Sequence, residues 1–189
     1  TPIFFDKYND LIKYASPVSG TLKSIVRGAK RKITSIILES DGKMTQASND
    51  SSDLAKKSRE EVVSSLLDSG LWPLIRMRPI DIVAQPNDVP KSIFISAFDS
   101  NPLAPDYDFI MHGKDSEFNA GIEVLKKLTD GSVNLQVRSS AADVFKNAKN
   151  VEINTVTGPH PAGNVGVQIH NIDTINKGEV VWYVNPQDV

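Results

Sequence analysis

Cysteine is absent from the 189 residues. Its absence excludes disulfides, thiolate zinc sites, iron–sulfur clusters and cysteine nucleophiles. No apolar run approaches the roughly 20 residues that a membrane-spanning helix needs, so no direct span is expected. Thr1-Pro2-Ile3-Phe4-Phe5 has neither an initiator methionine nor the basic-then-apolar layout of a secretory signal. It reads as the middle of a strand, and the chain is expected to be a piece of a longer one. Charge of one sign does not dominate: 21 Lys and Arg oppose 23 Asp and Glu, a net charge of −2. No global field therefore draws the protein to nucleic acid or to an anionic membrane. The three histidines, His112, His160 and His170, lack metal-ligand spacing and read as structural, so no metal site is expected. No Ser-His-Asp order or carboxylate pair favours hydrolysis. What is present, 40% hydrophobic and 23% charged residues, fits an ordinary globular chain with room for one large domain or two small ones.

Turns marked by glycine and proline cut the first part of the chain into short strands. Ser16-Pro17-Val18-Ser19-Gly20 precedes an alternating run from Thr21 to Val26. A basic turn, Arg27-Gly28-Ala29-Lys30-Arg31-Lys32, leads into Ile33 to Glu39. This predicts a small β barrel or sandwich over residues 1–50. The Pro17-to-Leu22 pattern resembles the turn of biotinyl- and lipoyl-type domains. Those carriers need a modifiable lysine beside methionine or aspartate at a hairpin tip. Lys30 and Lys32 have no such neighbours, so no covalent cofactor is expected. The polar stretch from Lys43 to Lys57 reads as a linker.

Residues 51–189 read as a second, α/β domain. Ser58 and Glu61 form a capping box for a helix with Val62, Val63, Leu66 and Leu67 on its apolar face and Gly70 at its end. From Lys91 the chain alternates strand and helix. Strands are predicted at Ser92–Ala97, Val133–Val137, Val151–Val156 and Val180–Val184. Helices are predicted from Asp115 or Ser116 to Asp130-Gly131, around Ala141–Phe145, and near Val165–His170. Repeated β-α-β units imply a Rossmann-like, mostly parallel sheet with helices on both faces.

Two runs carry candidate chemistry. In Gly158-Pro159-His160-Pro161-Ala162-Gly163-Asn164-Val165-Gly166 the backbone path is tightly specified. Gly158 and Gly163 have phosphate-loop spacing, but Asn164-Val165 stand where that motif needs Lys and then Ser or Thr. Only half of a dinucleotide fingerprint is present. Gly158, His160, Gly163 and Asn164 are therefore candidates for a ligand or partner loop, set against a rigid turn opening a helix. The second run is Ser69-Gly70-Leu71-Trp72-Pro73-Leu74-Ile75-Arg76-Met77-Arg78-Pro79. Its apolar residues beside two cations suit a flat, carbonyl-bearing ligand such as a quinone, or a protein partner. The plainer reading is a helix end packed on the core with solvated arginines. Asp99 and Asn101, just after a strand, are placed to meet a ligand, although Asn101-Pro102 also marks a turn.

Taken together, Ser16–Gly20, Arg27–Arg31, Ser69–Trp72, Arg76–Pro79, Asn101–Ala104, Leu128–Gly131 and Gly158–Gly163 resemble the A-subunit family of Na⁺-translocating NADH:quinone oxidoreductases, in order and across nearly the whole chain. The resemblance implies a peripheral subunit on the cytoplasmic face of the bacterial inner membrane. Its partners would be the other subunits of a complex that passes electrons from NADH to ubiquinone and exports Na⁺. Flavins and iron–sulfur centres belong to those other subunits. The resemblance also carries a quinone-binding role onto Ile75, Arg76, Met77, Arg78, Pro79, Ile80, Asp81 and Ile82, with Trp72 and Met77 as a wall beside Arg76 and Arg78. The domain is also similar to flavin-binding subunits of related redox complexes. Where those have a glycine-rich loop, this chain has Gly70-Leu71-Trp72-Pro73-Leu74. Neither flavin mononucleotide nor NADH is expected to bind. The alternative is a docking subunit with no ligand site of its own.

Overall fold

Ser58 starts the first helix of the second domain as its sequence dictates. Its hydroxyl accepts from the Glu61 N–H at 3.3 Å, and the Glu61 carboxylate accepts from the Ser58 N–H at 2.7 Å. Helix α1 then runs Arg59–Ser69 and stops at Gly70, whose φ of 75° puts it in the left-handed region. The computed structural model describes residues 1–46 and 56–189. The expected linker, Lys43 to Lys57, falls largely outside those residues. The chain divides into two compact units, Thr1–Ser52 and Asp53–Val189.

The first unit contains two antiparallel pairs. Strand β1 (Pro2–Phe5) pairs with β2 (Lys13–Ala15), and β3 (Gly20–Arg27) pairs with β4 (Ile33–Ser40). The basic turn between β3 and β4 holds Lys30 and Arg31 at positive φ, 53° and 60°. Along the β3–β4 ribbon Leu22 opposes Leu38 and Ile25 opposes Ile36.

In the second unit the chain continues from α1 through β5 (Arg76–Arg78), β6 (Ile82–Val83) and β7 (Ile93–Ala97). Then come helices α2 (Tyr107–Ile110) and α3 (Asp115–Lys126), strand β8 (Val133–Val137), helix α4 (Asp143–Lys146) and strand β9 (Glu152–Thr155). Helix α5 (Val165–Ile172) and strand β10 (Val181–Val184) complete the sheet. Six strands lie in the order β6-β5-β10-β7-β8-β9. Strands β10, β7, β8 and β9 are parallel, whereas β5 and β6 add an antiparallel hairpin at one side. Four of the six strands are parallel, as expected, but the antiparallel hairpin makes the sheet mixed, which corrects the expectation of a plain Rossmann-like layer. Arg76–Arg78 is a strand, not the end of a helix. The physical reason lies in its brevity: β5 has one apolar residue and β6 two, too few for a readable alternation.

Strand order reverses once. From β7 the chain steps outward to β8 and β9, then returns to set β10 on the other side of β7. The two sheet faces follow from register. Phe94, Val181 and Ile169 of α5 form one buried cluster, with Tyr183, Val165 and Ile175 packed on it. Trp182, which alternates with Val181 and Tyr183, lies on the opposite face. There it meets Trp72 edge-on, with ring centroids 5.5 Å apart. The α3 and α4 helices are joined by a second T-shaped contact, Phe118 on Phe145 at 5.4 Å. Buried Phe118, Ile122, Leu125 and Leu128 are the apolar stripe that the sequence predicts.

Candidate functional site

The residue that organises the site is Asp81, in the turn between β5 and β6, at a φ of 57°. One carboxylate oxygen accepts from the Tyr183 hydroxyl at 2.8 Å and lies 3.5 Å from Arg76 Nε. The other lies 3.7 Å from Arg78 Nη1. Arg76 also donates to the Asp81 carbonyl. In the antiparallel register Arg76 opposes Tyr183 and Arg78 opposes Val181, so both arginines project from the α5 face. Two guanidinium groups and a phenol thus converge on one carboxylate.

Around this group lies a cavity of about 290 Å³. Its walls are Arg78 and Asp81, Ser96 and Asp99 at the end of β7, Tyr183 and Asn185 at the end of β10, and Gly163 to Gly166 where α5 begins. Asn101 and Tyr107 complete it. This is the crevice at the carboxyl ends of β7 and β10, where strand order reverses, the place where open α/β sheets receive ligands. Burial first, and then Asp81, raises the Tyr183 hydroxyl above its usual range. Burial, with Asp99 and Asp188 adding to it, does the same to Tyr107. Both phenols therefore stay protonated at neutral pH; the Tyr183 O–H is donated to Asp81, and the Tyr107 O–H faces the cavity as a donor.

The glycine-rich loop is clamped to the turn after β7. The Gly163 N–H donates to Ser100 Oγ at 2.8 Å, and Ser100 Oγ is 3.1 Å from His160 Nδ1. Gln168, buried in α5, accepts from Ser96 Oγ at 2.8 Å and donates to the carbonyls of Phe98 at 3.1 Å and Gly163 at 3.3 Å. Asp99 accepts from both the backbone and the side chain of Asn101, at 2.9 and 2.7 Å. These bonds fix the loop against the end of β7 and leave the cavity open beside it.

The sequence-derived candidates separate into four groups. Arg78, Asp81, Gly163 and Asn164 line the cavity, as do Asp99 and Asn101. Arg76 and His160 support it through Asp81 and Ser100. Trp72, Ile75 and Met77 are buried in the core. Met77 opposes Trp182 and Trp72 packs on that indole, so this pair faces away from Arg76 and Arg78. The expected wall of Trp72 and Met77 beside the two cations is not present: a strand alternates its side chains, and the core claims the apolar one. The Trp72 indole N–H is satisfied by the Ala84 carbonyl at 2.7 Å. Pro79, Ile80 and Ile82 are exposed, and Gly158 is outside the cavity lining. Sequence reasoning missed Ser96, Tyr107, Gly166, Tyr183 and Asn185. Position at the carboxyl end of a strand is the signal that finds Ser96, Tyr183 and Asn185. Among the described residues there is no cluster of metal-ligating side chains and no helix long and apolar enough to cross a membrane.

Sheet, reversal point and cavity define an α/β domain with a crevice at the carboxyl ends of its strands, following a separate β unit. Two family models match these two units: "NqrA second alpha/beta domain" over residues 57–189 and "NqrA N-terminal barrel-sandwich hybrid domain" over residues 1–41. The A-subunit of the Na⁺-translocating NADH-quinone reductase of Saccharophagus degradans is 38% identical over 189 residues, covering 99% of this chain and 42% of that protein. The namesakes from Rhodopirellula baltica and Pasteurella multocida are each 36% identical, over 100% and 99% of this chain and 42% of each relative. The chain belongs to the NqrA family, and it spans about two fifths of the length of these relatives.

Proposed function

We propose that this chain is part of a peripheral subunit of a bacterial Na⁺-translocating NADH:quinone reductase, and that its cavity receives the quinone ring during ubiquinone reduction coupled to Na⁺ export. The observation that carries this reading is the Asp81 cluster. It holds a guanidinium, Arg78, at the sheet's reversal point, with the protonated Tyr107 phenol on the same cavity lining. Quinone carbonyl oxygens are acceptors without a proton of their own. Fixed donors beside them favour binding, and favour the extra negative charge that reduction brings. Family membership supplies the reaction class. The other subunits of such a complex are the partners, and the cytoplasmic face of the inner membrane is the location that goes with them.

The residues do not fit a flavin phosphate or a dinucleotide. The turn after α1, where a glycine-rich loop would offer N–H groups, contains Pro73, which has none, and Trp72, which is buried against Trp182. The electron donor therefore belongs elsewhere in the complex, and the role of this chain is to bind and orient the acceptor.

A second reading has its own support. Leu71, Leu74, Ile80 and Ile82 are exposed around the β5–β6 edge, as a docking surface for a partner subunit would require. Replacing Arg76 and Arg78 together by Ala separates the two readings. The expected result is an assembled complex whose quinone affinity falls at least about tenfold, as loss of charged hydrogen bonds predicts. Loss of assembly with unchanged quinone affinity would support docking instead.

A further inference from the structure

The cavity has a neighbour. A second one, of about 190 Å³, shares Arg78 and Gly166 with the first and is otherwise lined by Pro79, Ile169, His170, Thr174 and Ile175. The two differ in chemistry. Tyrosines, carboxylates, amides and Ser96 make the first cavity polar. Pro79, Ile169 and Ile175 give the second an apolar lining, and Ile169 and Ile175 belong to the packed cluster around Phe94. That floor is therefore held in place by the core. Gly166 lets one side chain border both spaces, because its missing Cβ admits Arg78 Nη2, which an added methyl group would meet at 2.4 Å. The guanidinium lies across the bare helix backbone, bordering both spaces.

We infer that the two cavities form one bipartite site for an amphipathic ligand, with a carbonyl-bearing ring in the polar part and the first stretch of an apolar tail in the groove. This rests on reading the larger cavity as a quinone-ring site and adds the part that recognises the tail. Shared lining residues argue for one ligand across both parts. A tail attached to a ring that contacts Arg78 has the groove as its adjoining apolar space. Each methylene that leaves water there tightens binding by roughly fourfold.

The test compares two probes by calorimetry on the intact protein: a tail-free dimethoxy-methyl-benzoquinone and its decyl derivative. The decyl compound is expected to bind at least about tenfold more tightly. Thr174 is an exposed groove residue, so Thr174→Phe narrows the groove without entering the core. It is expected to erase that preference and leave the tail-free affinity unchanged. Arg78→Ala is expected to weaken both probes. Binding of the tail-free quinone with no preference for the decyl compound would overturn the tail groove alone. A preference that survives Thr174→Phe would do the same, since it would place the tail elsewhere. If neither probe bound, or if Arg78→Ala left both affinities unchanged, the ring site would fall and the groove proposal with it.

Discussion

A methyl group added at Gly163 would come 2.1 Å from the Ser100 amide nitrogen and 2.7 Å from the Asp99 carbonyl carbon. Those are backbone atoms of a turn that Gly163 itself fastens through Ser100 Oγ, so neither side can give way cheaply. At Gly166 the nearest atom is the far end of the Arg78 side chain, at 2.4 Å, which moves by changing rotamer. Gly163→Ala is therefore expected to cost about 1–3 kcal/mol in urea unfolding, as overpacking does. Gly166→Ala has the opposite balance. A helical glycine replaced by alanine gains up to about 1 kcal/mol, offsetting the displaced guanidinium. Its stability is expected to stay within about 1 kcal/mol of the parent while quinone affinity falls. An unfolding curve and a quinone titration on each variant check both halves. Gly166→Ala with unchanged quinone affinity would remove Arg78 from the site.

Among the elements, α1 shows how local chemistry sets a boundary that packing then uses. Both reciprocal bonds of the capping box are formed, and Val62 is fully buried one turn later. Ser58→Ala is expected to cost about 1 kcal/mol, seen as a lower urea midpoint with an unchanged slope. This helix was legible in the sequence because its signals are local: a capping pair, an apolar stripe and a glycine at the end. Strands β7, β8 and β10 were legible for a related reason: β7 and β10 are largely apolar runs and β8 alternates apolar with polar residues, each bounded by turn residues. The β5–β6 hairpin was not. Its strands have three and two residues, and pairing of β5 with β10 and of β6 with β5 defines them more than any pattern of their own. That omission explains the error in the site. Once Arg76–Arg78 is recognised as a strand, alternation puts Met77 on the face away from the arginines. Asp81 is among the residues to which the resemblance carries a role, yet nothing local reveals that Tyr183, distant in sequence, is its partner. Asp99, Asn101, Gly163 and Asn164 were legible because loops at the carboxyl ends of parallel strands are where such crevices open.

Across the second unit, one polar cluster ties the start of β7 to the end of α5 and to the turn before β10. Lys91 Nζ lies 2.7 Å from Asp173 and 3.1 Å from Glu179, and donates to the Thr174 carbonyl at 3.0 Å. Ser92 Oγ donates to Asp173 at 2.6 Å. Bonds to Asp173 and then Glu179 raise Lys91 above its ordinary value. Burial pushes Asp173 upward, but the bonds from Lys91 and Ser92 outweigh it and leave its carboxyl below the usual range. The Asn176 N–H, followed by Lys91, lowers Glu179. For the two acids, the folded value lies below the unfolded one. Their contribution to stability is present above about pH 4 and is lost as pH falls through the folded values. For Lys91 the folded value lies above the unfolded one. Its contribution is present below about pH 10 and is lost as pH rises through the folded value. Lys91→Met keeps the aliphatic stem and removes the charge. Its melting temperature is expected to lie a few degrees below the parent's at neutral pH. The gap should close at the acid end, once both carboxylates are protonated, and again at the alkaline end, once the parent's lysine is neutral. Melting curves recorded across that range decide the matter, because a gap of constant size at every pH would assign the role of Lys91 to packing and not to charge.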